Sequence, residues 1–142
     1  MRVDQVEFTE LEAELLRSCK SLADHLAAEV GKVYVVAISR DRCPACEKQK
    51  LKLEKLSKET GEKHGKKVIF TRIRVRHPTD KSTEAVRSKG VFGHYFFPTN
   101  VIFLRTKDRG AFEFYKAVEP RISELKRNIE FAVQIAEILE KR

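Results

Sequence analysis

The chain has no tryptophan, one methionine and only three cysteines among its 142 residues. So few cysteines exclude the disulfide framework of a small secreted protein. Long apolar runs are also absent: the longest, such as Val33 to Ile38, are too short to cross a bilayer, and the N-terminus lacks the apolar stretch of an export signal. We therefore expect a cytoplasmic protein with no membrane partner.

Charge of both signs is abundant instead. Charged residues make up 35% of the chain, and the formal net charge is +8. Such an excess suits either an acidic partner or a solvated surface. Because Lys and Arg are spread along the chain and mixed with Glu, we favour the solvated surface and do not expect nucleic acid as a partner. High charge with scarce Asn and Gln is also typical of thermophile proteins, in which intracellular disulfides are ordinary.

The length and the hydrophobic content of 42% suit one globular domain with its own core. We predict a single domain over residues 1–142, made of an N-terminal helical segment at 1–31 and a core at 32–142. Thr9 is predicted to cap one long helix in the first segment, with leucines at helical spacing, and Gly31 to end it.

The core segment alternates between strand and helix patterns. "KVYVVAI" at 32–38 predicts a central strand covered on both faces. Strong helix formers from Pro44 to about Thr60 predict a helix that ends at Gly61. The remaining predicted elements are a strand "KVIFTRIRV", a short helix over Ser82–Lys89, hairpin strands "NVIFL" and "AFEFY", and an amphipathic helix from about Arg121 to Lys141.

Two cysteines, Cys43 and Cys46, lie in "RCPACEK", directly after the first core strand and at the start of the next helix. Free backbone N–H groups and the helix dipole favour a thiolate there. Cys43 is therefore predicted to be an exposed, acidic nucleophile, and Cys46, one turn further, to be the resolving thiol. Positive charge from Arg40 and Arg42 is expected to favour the Cys43 thiolate further.

These positions define a reaction. Cys43 attacks a substrate disulfide and forms a mixed disulfide with it. Cys46 then displaces the reduced substrate and leaves a Cys43–Cys46 disulfide. The same steps in reverse oxidise a dithiol.

Two motifs together resemble the thioredoxin superfamily, over most of the chain from Lys32 onwards. "VYVVAI…RCPACEK" is similar to its strand, active-site loop and helix, and "GHYFFPT" to its loop with a cis-proline before the third main strand. The resemblance implies an α/β thioredoxin-like fold, with a four-stranded mixed sheet flanked by helices and an added N-terminal helix. It also implies that Pro98 faces the redox pair. The substrate-contacting residues that follow from it are Phe97, Pro98, Thr99, Pro44 and Ala45.

The same resemblance implies a thiol–disulfide oxidoreductase that acts on protein or small-molecule disulfides. It would need no cofactor beyond the cysteine pair and would take electrons from a separate reductase. The chain departs from the family in two ways. Its loop is Cys-Pro-Ala-Cys, which is similar to the glutaredoxin-like order. The buried acid of thioredoxin falls near Ala37, so no carboxylate is evident to move the proton of Cys46.

Two other classes of protein stay open. One is a non-enzymatic thioredoxin-fold adaptor with a basic binding surface, and the other is a redox or metal sensor. One CxxC supplies only two of the four ligands that a structural zinc site wants, and a proline against the sulfurs would crowd out a metal. The third cysteine, Cys19, is interpreted as a small buried residue in the first helix.

The side chains around the proline and along the helix carry weaker expectations. His94 and Tyr95, ahead of Pro98, fit substrate contact and turn packing equally well. At least one of Phe96 and Phe97 is expected to be buried. Three lysines are predicted to be solvated positions of the active-site helix, with steering of an acidic partner as the less favoured alternative: Lys48, Lys52 and Lys55.

Overall fold

The structure, a computed structural model, describes residues 3–76, 83–93 and 96–142. A five-stranded sheet carries helices on both of its faces. The elements are β1 Asp4–Glu7, α1 Phe8–Ser18, α2 Leu22–Leu26, β2 Val33–Arg40, α3 Pro44–His64, β3 Val68–Val75, α4 Thr83–Phe92, β4 Thr99–Arg105, β5 Ala111–Val118 and α5 Ile122–Lys141.

The sheet is mixed, with the strand order β1-β3-β2-β4-β5. Strands β1, β3 and β2 are mutually parallel, whereas β4 runs antiparallel to β2 and β5 antiparallel to β4. The predicted mixed sheet is confirmed, with five strands instead of four. The extra strand, β1, is an edge strand of four residues, "DQVE", too short for a clear alternating pattern.

The central strand β2 is buried from Val33 to Ser39, as predicted for a strand covered on both faces. Its odd-numbered apolar side chains, from Val33 to Ala37, pack with residues of α3 and α5. Its even-numbered ones, from Tyr34 to Ile38, pack with Phe8 of α1 and Phe92 of α4. The strand thus joins two apolar clusters and fixes the position of the loop that follows it.

The predicted cap at Thr9 is wrong. The helix α1 begins at Phe8, directly after β1, and Glu7 precedes it in an extended conformation without a side-chain capping hydrogen bond. Thr9 lies inside the helix. Glu12, its expected capping partner, binds Arg87 of α4 instead, at 2.9 Å. The strand runs straight into the helix, so the cap position falls on a strand residue.

The predicted long N-terminal helix is two helices. The first ends at Cys19, which adopts a left-handed conformation with φ of 56° and donates its N–H to the Leu15 carbonyl at 3.0 Å. The second follows Ser21, whose hydroxyl accepts the Asp24 N–H at 3.1 Å. Cys19 is exposed at this break, so the interpretation as a buried residue is wrong.

Two helices end later than predicted, and each passes through a glycine. The helix α3 continues through Gly61 to His64, where Glu130 of α5 holds the imidazole Nε2 at 3.0 Å. The helix α4 continues through Gly90 to Phe92, whose ring packs edge-on against Phe8. In both cases a tertiary contact stabilises the additional turn.

The last helix follows its predicted pattern. Within α5, the side chains of Leu125, Ile129, Ala132 and Ala136 are buried against the sheet, and α5 spans nearly the predicted range. Across the described residues, no helix combines the length and the apolar character that a membrane span requires.

Candidate active site

The cysteine pair lies at the N-terminus of α3, as predicted. Cys43 is the N-cap residue: its backbone is extended, and its Sγ accepts the N–H of Cys46 at 3.2 Å. Pro44 occupies the first helical turn, where its missing N–H leaves no helical bond unmade. Cys43 and Cys46 are joined by a disulfide, with their Cα atoms 5.2 Å apart.

The sulfurs are covered. Cys43 is 5% exposed and Cys46 is 1% exposed, so the predicted exposure of Cys43 is wrong. The cover comes from a distant part of the chain, since the Phe97 carbonyl oxygen lies 3.8 Å from Cys43 Sγ and Pro98 beside it is buried. Pro44 is the exposed residue of the motif, and Ala45 is half-buried.

The segment from Phe96 to Pro98, which we call the proline loop, is held in place by hydrogen bonds. The Phe97–Pro98 peptide bond is cis. The Pro98 carbonyl accepts the Glu119 N–H at 2.8 Å, and the Thr99 hydroxyl donates to the Phe96 carbonyl at 2.7 Å. The structure thus brings Phe97 and Pro98 to the cysteine pair and places Thr99 next to them.

Neither aromatic residue ahead of Pro98 is fully buried. Phe96 is 66% exposed, and Phe97 is half-buried at the edge of the core, so the expectation that one would be buried is wrong. A cation covers part of the Phe97 ring: the guanidinium of Arg40 lies 5.5 Å from its centroid, within the range of a cation–π contact. His94 and Tyr95 lie outside the described residues.

The two arginines predicted to tune Cys43 have different surroundings. Arg40 is half-buried and reaches the site through Phe97. Arg42 is exposed and has a left-handed backbone, with φ of 57°. In residues 3–76, 83–93 and 96–142, neither arginine donates a hydrogen bond to a cysteine sulfur. Any effect of either charge on the thiolate therefore acts through space.

Asp41, which lies between Arg40 and Arg42, is paired with a cation of the neighbouring strand. Arg74 of β3 donates two hydrogen bonds to Asp41, both at 2.9 Å, and a third to Glu7 at 3.0 Å. The hydrogen bonds to Asp41 and then to Glu7 hold the pKa of Arg74 above its ordinary value. Because Asp41 is engaged by this cation, its charge opposes a neighbouring thiolate less than an unpaired carboxylate would.

A buried amide pair lies beneath the active-site helix. Asn100 of β4 is fully buried and lies opposite Ala37 in the sheet register, so both side chains project to the α3 face. Gln49 Nε2, one turn after Cys46, donates to Asn100 Oδ1 at 2.6 Å. Asn100 Nδ2 is buried and has no hydrogen-bond partner within the described residues.

A guanidinium lies on the other side of Ala37. Arg72 of β3 pairs with Ala37 in register, and its side chain is 11% exposed. Its Nε donates to Ser39 Oγ at 3.0 Å, and its Nη2 lies 3.7 Å from Glu47 Oε1. Ala37, near which the resemblance implies the acid of thioredoxin, is therefore flanked by an amide and a cation.

Sequence reasoning missed Gln49, Asn100 and Arg72, although the first two left a signal in the sequence. Gln49 follows Cys46 by three residues, which places both on one helix face. Asn100 is a polar residue directly before the apolar run from Val101 to Leu104. In the described ranges, no group of three or more His, Cys, Asp and Glu side chains is placed to hold a metal ion.

Known proteins match this chain in structure and not in sequence. No protein-family model matches the chain, and no curated protein matches its sequence. Thioredoxin f2 from Chlamydomonas reinhardtii superposes with a TM-score of 0.60 at 14% identity, over 92% of this chain and 95% of that one. Thioredoxin from Trichomonas vaginalis gives 0.58 at 13% identity, over 90% and 95%.

A third match comes from a complex. A chain in the crystal structure of ferredoxin:thioredoxin reductase with thioredoxin f2 gives a TM-score of 0.55 at 17% identity, over 92% of this chain and 94% of that one. Likeness at such identity concerns architecture, since one fold hosts many functions. The strand order, the disulfide at the start of α3 and these superpositions together show that the chain has the thioredoxin fold.

Proposed function

We propose that the protein is a thiol–disulfide oxidoreductase in which Cys43 attacks a substrate disulfide and Cys46 resolves the intermediate. The observation that carries this proposal is the Cys43–Cys46 disulfide at the N-terminus of α3, with Cys43 Sγ facing the Phe97 carbonyl. The thioredoxin fold of the chain supports it.

The reaction passes two electrons through the pair. In the reduced protein, the Cys43 thiolate attacks one sulfur of the substrate disulfide, and the other leaves as a thiolate that takes up a proton. Cys46 then loses its proton to solvent, and its thiolate attacks Cys43 Sγ and releases the second substrate sulfur as a thiolate that takes up a proton. The Cys46 N–H, which already donates to Cys43 Sγ, and the dipole of the helix α3 favour the attacking thiolate.

The substrate lies across the covered side of the pair. Phe97 and Pro98 supply one wall, and Pro44 with Ala45 supplies the other. Thr99, predicted as a further contact, is fully buried behind Pro98 and supports that wall without reaching the substrate. The exposed Phe96 ring adds apolar surface at the rim. Arg40 and Arg42 tune the Cys43 thiolate by their positive charge.

A separate reductase returns the electrons, and the cysteine pair is the sole redox group of the reaction. The thioredoxin f2 in one matching crystal structure is in complex with ferredoxin:thioredoxin reductase. We propose an enzyme with a redox-active dithiol as the corresponding class of donor here, and a protein disulfide as the main substrate. A reducing compartment, the cytoplasm, suits that direction of flow.

Insulin-disulfide reduction by the purified protein, with a chemical dithiol as electron source, tests the proposal. The unaltered protein should accelerate the reduction, Cys43→Ser should abolish that acceleration, and Cys46→Ser should stall after a first attack. Cys19→Ser is the matched control, because Cys19 is exposed at the end of α1, and it should retain full activity. Equal rates with and without the protein would contradict the proposal and favour the non-enzymatic adaptor.

A further inference from the structure

A basic groove starts at the active-site loop. It lies between α3 and the turn that joins β5 to α5, and its first part has a volume of about 210 Å³. A second part of about 380 Å³ continues along α3, and the two share Lys52 and Arg121 in their walls. We call this continuous feature the α3–α5 groove.

One end of the groove lies next to the cysteine pair. Ala45, which separates Pro44 from Cys46, lines its first part. On the opposite wall, the turn between β5 and α5 is tied to the proline loop by the hydrogen bond from Glu119 N–H to the Pro98 carbonyl. A polypeptide that crosses the cysteine pair and leaves on this side therefore enters the groove.

The side chains that line the groove carry a net positive charge. Lys48, Lys52, Lys55 and Arg121 line it and are exposed. None of these four forms an ion pair within the part of the chain that the structure describes, and the lining carboxylates are fewer, Glu59 and Glu119. Lys48 and Lys52 are one helical turn apart, where like charges repel, so helix stability does not account for them.

We propose that the α3–α5 groove binds an acidic segment of the protein whose disulfide Cys43 attacks. This inference rests on the proposed function and specifies its substrate class. The spacing fits an extended chain: Lys48 and Lys52 are separated by roughly 6 Å along the helix axis. Carboxylates two residues apart on an extended segment are separated by roughly 7 Å. The preferred segment has acidic side chains at alternate positions.

Binding to the oxidised protein tests the groove without any turnover. Two cysteine-free peptides that differ only in carrying Glu or Lys at alternate positions are titrated into the protein and followed by fluorescence anisotropy. At low salt the acidic peptide should bind about tenfold more tightly or better, and the difference should collapse at high salt, since exposed charges are screened. Equal affinities at low salt would overturn the inference.

Variants locate the binding surface. Lys48→Glu/Lys52→Glu should remove most of the preference for the acidic peptide, and Arg121→Gln on the opposite wall should reduce it. Lys107→Glu/Arg109→Glu is the matched control: it makes the same change in net charge on exposed residues of the turn between β4 and β5. If the control removes the preference equally, net charge and not the groove selects the peptide, and the inference is wrong.

Kinetics connect the groove to turnover. With the same two peptides carrying a disulfide, the ratio of kcat/KM for the acidic peptide to that for the basic one should exceed about ten and fall towards one in Lys48→Glu/Lys52→Glu. A ratio of one in the unaltered protein would contradict the inference. If neither peptide nor the neutral 2-hydroxyethyl disulfide is reduced at all, the proposed function fails, and the binding titration still decides the groove.

Discussion

Charges on the two sides of the cysteine pair are arranged in different ways. On the β3 side, Arg74 is held by Asp41 and Glu7, and Arg72 by Ser39 and Glu47. On the α5 side, the lysines of the α3–α5 groove face solvent without described ion pairs. The paired cations fix the loop to the sheet. The exposed ones can meet a ligand, so under our proposal the same residue types serve architecture on one side and recognition on the other.

A new charge at the buried Gln49–Asn100 pair, which lies beneath the helix α3, should have the largest effect on stability. Asn100→Asp places a carboxylate at a fully buried position, next to Gln49. We expect it to lower the free energy of unfolding at neutral pH by about 3 kcal/mol, because burial penalises the charged form. Burial raises the folded pKa of such a group, so the loss should disappear as the pH falls below the unfolded pKa. Urea denaturation at neutral and acidic pH measures both.

Asn100→Leu is the control for that substitution. It leaves the Gln49 amide without its partner and should cost about 1–2 kcal/mol at either pH. Equal, pH-independent losses of stability in Asn100→Asp and Asn100→Leu would show that this buried position tolerates a charge. That result would contradict the expected penalty for burying a carboxylate there.

Removing the paired cation on the β3 side should have an intermediate effect. Arg74→Ala leaves Asp41 and Glu7 without their shared partner and should lower the free energy of unfolding by about 1 kcal/mol, since all three side chains are partly exposed. It should also lower the thiolate fraction of Cys43, because Arg74 then no longer offsets the charge of Asp41. Arg42→Ala, at an exposed position, should leave stability nearly unchanged; a loss as large as that of Arg74→Ala would remove the distinction between paired and unpaired cations.

A smaller effect is expected where a carboxylate joins α2 to the hairpin. Asp24 accepts hydrogen bonds from the Ala111 N–H, the Ser21 hydroxyl and Arg105, in that order of influence, and they hold its pKa below the ordinary value. A lowered pKa stabilises the fold at pH values above the unfolded pKa, and this contribution is lost as the pH falls through the folded pKa. The unaltered protein should therefore exceed Asp24→Asn in stability at pH 7 and approach it in acid. A constant difference would contradict the assignment.

The smallest effect on stability is expected in the groove. Lys48→Glu/Lys52→Glu should change the free energy of unfolding by less than about 0.5 kcal/mol, because both side chains are exposed and unpaired among the described residues. Chemical denaturation measures it beside the peptide titration. A loss as large as that of Arg74→Ala would show that these lysines serve the fold, and the contrast between the two sides would disappear.

Local patterns predicted the parts of the site that depend on nearby residues. The strand, the CxxC and the start of α3 follow one another in sequence, and Pro98 was found from its resemblance to a known loop. Local patterns did not predict the burial of Cys43, because its cover, Phe97, lies 54 residues away; the resemblance placed Pro98 against the pair but not how completely the loop covers the sulfurs. The Gln49–Asn100 pair likewise joins residues 51 apart.

The N-terminal region shows the same limit. The leucine spacing continues across Cys19, and nothing in the local sequence marks a left-handed residue there, since it is not a glycine. The strand β1 depends on its pairing with Thr71–Arg74 of β3, which four residues of sequence do not reveal.

The assignment of roles to the two cysteines is tested most directly by trapping the intermediate. Each single variant, Cys43→Ser and Cys46→Ser, is reduced and mixed with a disulfide-bearing protein, and covalent complexes are identified by mass spectrometry without reducing agent. Both variants also carry Cys19→Ser, because the exposed Cys19 thiol would form mixed disulfides of its own. We expect Cys46→Ser to form a stable mixed disulfide through Cys43, and Cys43→Ser to form almost none through Cys46, which lies one turn inside α3 and is 1% exposed. A complex that forms through Cys46 at the same or a greater yield would contradict the account.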